Sequence, residues 1–95
     1  MEHAAAERGR AYHYRDSAGR EIDVVLAYPD GWVACEIKLG AAQAEAAATN
    51  LKTAVVAVDQ QTVGPPEALC VIIGAGPGYR RPDGVAVVPI GALRP

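Results

Sequence analysis

The sequence has few cysteines and histidines, and none of them forms a recognisable pattern. Cys35 and Cys70 are the only cysteines, they lie far apart, and each sits inside an apolar run. Because this spacing is neither that of a zinc-binding pair nor that of a redox Cys-x-x-Cys motif, we expect two buried free thiols. His3 and His13 are the only histidines and are too isolated to indicate a metal site.

Long apolar runs and a strong charge of either sign are also absent. No segment approaches the roughly 20 apolar residues of a transmembrane helix, and the first residues lack the apolar core of a signal peptide. The net charge at pH 7 is −2. A high-affinity, nonspecific nucleic-acid binder would carry a strong basic field instead. We therefore expect a cytoplasmic protein that makes no contact with membranes.

The composition predicts one small globular domain. Hydrophobic residues make up 51% of the chain and charged residues 21%, which separates it from disordered sequences. At 95 residues the chain builds one modest core, so we predict a single domain over residues 1–95. Residues 1–10 contain helix-forming side chains but are too few for a stable helix without packing, so we expect a shortened N-terminal helix.

The stretch from Gly19 to Gly40 carries the main signal for both fold and function. Residues 20–27 and 32–39 are rich in β-branched and apolar side chains. They flank the sequence Tyr-Pro-Asp-Gly at residues 28–31, which is typical of a turn. These features predict an antiparallel β-hairpin.

The rest of the chain predicts an α/β domain. Residues 11–15 form a strand that joins the hairpin in an antiparallel meander, and residues 42–59 change to a helical period with an alanine-rich apolar stripe. Residues 69–73 are continuously apolar, as in a strand covered on both faces, and residues 85–88 form a last strand. We predict a mixed sheet of about five strands, in the order β-meander, helix crossover and two further strands.

The register of the hairpin sorts its side chains onto two faces. If Ala27 pairs with Trp32, Asp23 lies directly across from Glu36, and Lys38 follows two residues along the same face. The opposite face is apolar, and we predict that it faces the core: Ile22, Val24, Leu26, Val33, Cys35, Ile37 and Leu39.

Two opposed carboxylates repel each other unless a cation offsets their charge. A set of oxygen donors from Asp23, Glu36 and the backbone carbonyl of Ile37, completed by water and a substrate phosphate, suits Mg²⁺ or Mn²⁺. Lys38 would then orient or help to deprotonate an attacking water, or hold a phosphate oxygen, in a phosphodiester hydrolysis. The alternative is a solvated, inert face on which Lys38 makes a cross-strand ion pair with Glu21.

The pattern of Asp23, twelve intervening residues and then Glu-Ile-Lys at 36–38 resembles the motif of the PD-(D/E)XK nuclease-like superfamily. Three further segments point to one family within this superfamily: residues 12–16 (YHYRD), 19–23 (GREID) and 85–93 (VAVVPIGAL). Together they are similar to the C-terminal DUF4143 domain of bacterial ATP-binding proteins of the AAA type, and the similarity extends over most of the chain from about residue 12.

This resemblance implies a restriction-endonuclease-like fold and Mg²⁺-dependent cleavage of DNA or RNA. Asp23 and Glu36 would be the metal ligands, with Lys38 at the water or the phosphate. It also implies an alternative, a noncatalytic accessory or interaction domain whose ATPase part is a partner or a parent chain. Superfamily members usually carry a longer first helix that often adds another acid, and here Glu7 could take that place or be an ordinary surface residue.

A glycine-rich segment at residues 74–84 precedes the last strand and is expected to be a flexible loop. It contains neither G-x-x-x-x-G-K-[ST] nor G-x-G-x-x-G, so we expect no nucleotide cofactor. Tyr79, Arg80 and Arg81 in this loop, and Lys52 in the helix, are weaker candidates for contacts with nucleic-acid bases or phosphates. Ordinary surface roles are the competing interpretation. Exposed sheet edges would permit a homodimer.

Overall fold

The structure is a computed structural model, and it describes residues 9–58 and 63–93. They form one mixed sheet of six strands in the order β1-β2-β3-β4-β6-β5. The strands are β1 (Arg10–Arg15), β2 (Glu21–Tyr28), β3 (Gly31–Gly40), β4 (Ala68–Ala75), β5 (Tyr79–Arg80) and β6 (Ala86–Pro89). The first three strands are an antiparallel meander, β3, β4 and β6 run parallel, and β5 is antiparallel to β6. The α/β class is confirmed.

The helix α1 (Ala44–Val56) follows a 3₁₀ turn at Ala41–Gln43 in the connection between β3 and β4. Its buried side chains are mostly small, which lets the helix axis approach the sheet closely: Ala44, Ala47, Ala48, Leu51, Ala54 and Val55. The predicted helix is therefore present. Within the described part of the chain, no helix has the length and apolarity needed to cross a membrane. The expected N-terminal helix, including Glu7, falls on residues outside the described ranges.

The helix covers the sheet face opposite to the one that the hairpin pattern predicts. The pairing of Ala27 with Trp32 is as predicted, but Ile37 and Leu39, assigned to the core, are 49% and 88% exposed. The core cluster under α1 contains Ile22, Val25, Trp32, Ala34, Leu51, Ala54 and Val55. The predicted core face was wrong because the face that carries Glu36 also carries Val25, Trp32 and Ala34, which α1 covers, and alternation alone does not show which face the helix covers.

A β-bulge in β2 explains how Ile22 joins this core. Tyr12 of β1 pairs with Val25, whereas Tyr14 pairs with Ile22, so β2 has one more residue than β1 over this interval. Ile22 and Val25 therefore both point to the helix although they are three positions apart. The predicted pairing of Ile22 with Ile37 does not form, because the ladder between β2 and β3 ends before it.

A second core cluster lies between α1 and the parallel strands: Ala44, Ala47, Ala48, Val71, Ile73, Val85 and Val87. Leu69 packs against both clusters and joins them into one layer. The alternate residues of β4, Cys70 and Ile72, are only half-buried. The face of the sheet turned away from α1, called the open face below, carries Val24, Leu26, Val33, Cys35, Ile37, Leu39, Cys70 and Ile72.

Candidate active site

Asp23 and Glu36 lie next to each other where the ladder between β2 and β3 ends. The last paired residues are Val24 and Cys35. Beyond this pair, the Asp23 side chain replaces a backbone carbonyl as the hydrogen-bond acceptor: its Oδ2 accepts a hydrogen bond of 3.0 Å from the N–H of Ile37. In return, the N–H of Asp23 donates to Oε2 of Glu36 at 3.2 Å. These two bonds bring both carboxylates together, as the register predicts.

Glu36 is the only charged residue that is buried among the described residues, with 8% of its surface exposed. By strand alternation it lies on the same face of β3 as Trp32 and Ala34, the face that α1 covers. Burial raises the pKa of the Glu36 carboxyl, and the neighbouring charge of Asp23 raises it further. The hydrogen bond from the Asp23 N–H and the positive charge of Lys38 lower this pKa and oppose the rise only in part. The raised pKa means that the folded site holds a proton on Glu36 more tightly than an exposed glutamate does.

The oxygen atoms around this pair suit a hard cation. A backbone N–H engages one oxygen of each carboxylate, which leaves Oδ1 of Asp23 and Oε1 of Glu36 for a shared proton or a metal ion. The N–H and C=O of a strand residue point to the same neighbouring strand, so the Ile37 carbonyl also lies on the β2 side, past the end of the ladder. Among residues 9–58 and 63–93, no third His, Cys, Asp or Glu joins them. Mg²⁺ often binds through one or two carboxylates plus water and phosphate, so the set fits it.

Lys38 is half-buried and lies on the same side of β3 as Glu36. Its charge reaches the Glu36 carboxylate and lowers the pKa of that group. The alternative ion pair between Lys38 and Glu21 is wrong. Glu21 instead contacts β1, with Oε2 at 2.6 Å from Nη2 of Arg15 and Oε1 at 3.3 Å from Nε2 of His13. Across the described residues, Lys38 takes part in no ion pair within 4.0 Å.

His13 is a neighbour of the site that the sequence did not indicate. Its Nδ1 lies 3.4 Å from the backbone oxygen of Asp23, and it sits on β1 opposite the bulge. His13 therefore contacts the backbone of Asp23 and the side chain of Glu21, and not the carboxylate of Asp23. In the sequence His13 is only one polar position between Tyr12 and Tyr14, so no local signal marks it.

The weaker candidates Lys52 and Arg81 come together at the solvent edge of α1. Lys52 Nζ and Arg81 Nη2 both lie 3.0 Å from Oδ2 of Asp83. The two cations lower the pKa of the Asp83 carboxyl, with the hydrogen bond from Lys52 as the main cause. Only 16% of the Arg81 side chain is exposed. The aspartate therefore partly neutralises both positive charges.

Tyr79 and Arg80 form β5, so the segment expected to be a flexible loop contains a short strand. The Tyr79 hydroxyl donates to Oε2 of Glu45 at 2.6 Å, and this bond is the main reason why the pKa of Tyr79 is raised. Arg81 adds a bond of 3.1 Å to the backbone oxygen of Glu45. Arg80 donates to the carbonyl of Gly84 at 2.9 Å and remains exposed. These contacts dock the segment onto the first turn of α1.

A cleft of about 610 Å³ lies at the other end of the hairpin, beside the turn between β2 and β3. It is lined by Tyr12, Tyr14, Val25, Ala27, Tyr28, Pro29, Asp30, Gly31, Trp32, Val58 and Val63. None of the carboxylates or lysines discussed above belongs to it. The candidate active site is therefore an open strand end and lies outside this cleft.

Comparison with known proteins gives a match at the level of a family. Neither a curated protein nor a solved structure matches the chain. A family model described as a domain of unknown function (DUF4143) matches residues 1–93. Because this match spans nearly the whole sequence, the chain belongs to the DUF4143 family.

Proposed function

We propose that Asp23, Glu36 and Lys38 form the active site of a Mg²⁺-dependent phosphodiesterase that cleaves DNA or RNA. The observation that supports this function is the exchange of hydrogen bonds between the two acidic residues and the strand ends, at 3.0 and 3.2 Å. This exchange holds two like charges together at a cost in electrostatic energy. A bound cation would remove that cost.

Each residue would have a separate part in the reaction. Asp23 and Glu36 would hold the cation through their second oxygens, with the carbonyl of Ile37 as a further donor. When bound, Mg²⁺ would polarise the phosphate and lower the pKa of a coordinated water. Lys38, which has no ion-pair partner among the described residues, would hold a phosphate oxygen or orient the attacking water.

The resemblance to the PD-(D/E)XK nuclease-like superfamily supports the same assignment. The spacing from Asp23 to Glu36 and Lys38 agrees with that motif, and the carboxylates lie on adjacent strands of a mixed sheet. The hydrogen bond from the Ile37 N–H to the Asp23 carboxylate adds a physical reason for this spacing. It fixes Asp23 to the residue that lies between Glu36 and Lys38.

The test is a calorimetric titration with Mg²⁺ and with Mn²⁺, followed by cleavage assays on single- and double-stranded DNA and RNA. We expect millimolar binding that weakens by about tenfold or more in Glu36→Gln, and cleavage that is lost in Glu36→Gln and in Lys38→Met. Asp30→Asn is the matched control, because it removes an acid at the far end of the same hairpin. Equal metal binding by the wild type and Glu36→Gln would contradict the proposal.

The second candidate function is that of a noncatalytic accessory domain of an AAA-type ATP-binding protein. The open face favours it, because Ile37 and Leu39 expose 49% and 88% of their surface beside the half-buried Ile72. Adjacent exposed apolar side chains of this kind are typical of surfaces that other proteins cover. Metal binding with no cleavage of any of the four substrates would favour this second function.

A further inference from the structure

Cys35 and Cys70 lie far apart in the sequence but next to each other in the fold. They are direct partners in the parallel ladder between β3 and β4. Register partners point their side chains to the same face, here the open face. Neighbouring strands are about 4.7–4.9 Å apart, which lies within the range of about 4.4–6.8 Å between the Cα atoms of disulfides. Both cysteines are free thiols in this structure.

We propose that Cys35 and Cys70 form a redox-active dithiol that closes reversibly into a disulfide between β3 and β4. The partner in this reaction is a small-molecule disulfide of the glutathione class. The site is separate from the carboxylate pair, since it lies on the opposite face of the sheet.

The two thiols differ in a way that assigns their roles. Cys35 is buried, with 3% of its surface exposed, whereas Cys70 is half-buried. The small disulfide therefore reaches Cys70 first, and Cys70 attacks it as the thiolate, because a thiolate and not a thiol is the nucleophile. Cys35 is the resolving thiol.

The reaction proceeds in two exchanges. The Cys70 thiolate attacks one sulfur of the small disulfide, breaks its S–S bond and releases one thiolate, leaving a mixed disulfide on Cys70. Cys35 then attacks the Cys70 sulfur, gives up its proton and displaces the second small thiol. In total two protein thiols are oxidised, one small disulfide is reduced to two thiols, and the two protons of the protein pass to the products.

Strand spacing indicates that the closed form is easily reopened. A disulfide needs Cβ atoms about 3.5–4.5 Å apart. The Cβ atoms of register partners on one face are separated by about the strand spacing, which is longer. Closing the bond therefore draws β3 toward β4 at Cys35. Strained disulfides are more readily reduced than relaxed ones, so we expect a bond that responds to the surrounding thiol pool.

The experiment incubates the full chain with graded mixtures of oxidised and reduced glutathione, quenches with acid, and reads intact mass and free thiols. We expect a monomer that loses two hydrogen atoms in mass and both reactive thiols. Cys35→Ser should stop at the mixed disulfide on Cys70, and Cys70→Ser should react at least about tenfold more slowly than wild type. No metal or nucleic acid is present, so the result is independent of the proposed function.

Peptide mapping of the early wild-type intermediate keeps the test decisive if either serine variant folds poorly. Glutathione on Cys70 in that intermediate supports the assigned order. Glutathione first on Cys35, a wild type that stops at the mixed disulfide, or a bond that forms only between two chains would overturn the proposal.

Discussion

At the residue scale, the charge of Glu36 works against folding. This acid is buried next to a second acid, and its pKa in the folded chain is raised above the ordinary value of 4.5. An acid with a raised folded-state pKa binds its proton more tightly when folded. As pH rises above 4.5, the unfolded chain ionises first, so the free energy of unfolding falls until the folded-state pKa is passed.

We therefore expect Glu36→Gln to remove this loss of stability with rising pH. The amide keeps an oxygen for the N–H of Asp23 and can donate to the Asp23 carboxylate, so the local hydrogen bonds persist. The measurement is urea unfolding of both proteins from about pH 4 to about pH 8. The variant should be at least as stable as the wild type at neutral pH, and the difference should shrink toward acid.

The comparison between the two proteins isolates Glu36 from other titrating acids. Three other acids have lowered pKa values, and hydrogen bonds from basic side chains are among the causes: Arg20 bonds to Asp16, Arg15 to Glu21 and Lys52 to Asp83. Their contribution to the free energy of unfolding is present above the unfolded-state pKa and is lost as pH falls. It is the same in both proteins. A variant less stable than wild type at neutral pH would show that the charge of Glu36 does not oppose folding.

The position of the carboxylate pair could be predicted because the turn at residues 28–31 sets the register of the hairpin. With Ala27 opposite Trp32, the acids at 23 and 36 must meet, and the bulge in β2 does not disturb this because the ladder to β3 is regular up to Val24. The exchange of hydrogen bonds between Asp23, Ile37 and Glu36 could not be predicted. It depends on the ladder ending at Val24 and Cys35, before the predicted pair of Ile22 and Ile37.

At the element scale, the sequence predicted the strands and the helix better than the way they pack. In β3 the more apolar face is turned away from α1, which instead covers Trp32 and Ala34 on the face that also carries Glu36. No glycine or proline within β2 marks its bulge. β5 is held by contacts from Tyr79 and Arg81 to Glu45 on a distant helix, and local sequence carries no information about such partners.

The ladder between β3 and β4 contains a glycine that the strand spacing requires. A Cβ atom on Gly74 would lie 2.7 Å from the backbone oxygen of Leu39, and this oxygen cannot yield unless the two strands move apart. We expect Gly74→Ala to reduce the free energy of unfolding by about 1–3 kcal/mol. Chemical denaturation measures the change.

Gly40→Ala is the matched control for this substitution. Gly40 is near the paired end of the same ladder and has a φ of −125°, and a Cβ atom added to it would meet no residue beyond its chain neighbours within 4 Å. A methyl group there should leave stability unchanged within about 0.5 kcal/mol. If Gly74→Ala cost no more than Gly40→Ala, close approach of the strands would not be the reason for glycine at position 74.

At the scale of the whole molecule, charge distribution decides how a nucleic acid would be held. The net charge is −2, and the cations Lys52 and Arg81 are paired with Asp83. Asp23 and Glu36 add negative charge where the proposed substrate must come close. Without a cation, the whole molecule should therefore bind nucleic acid weakly.

This arrangement predicts an unusual sign for the effect of Mg²⁺ on affinity. For a protein that binds nucleic acid through basic side chains, added salt competes for the phosphates and weakens binding. Here Mg²⁺ at the carboxylate pair would remove repulsion and bridge to a phosphate, so affinity should rise. Fluorescence anisotropy of labelled single- and double-stranded oligonucleotides, at constant ionic strength with and without Mg²⁺, measures this effect. The anisotropy is read before any cleavage, and a gel of the same samples confirms that the oligonucleotides are still intact. Glu36→Gln should lose the increase while Asp30→Asn keeps it, and a fall in affinity on adding Mg²⁺ to the wild type would show that the carboxylate pair does not recruit a phosphate.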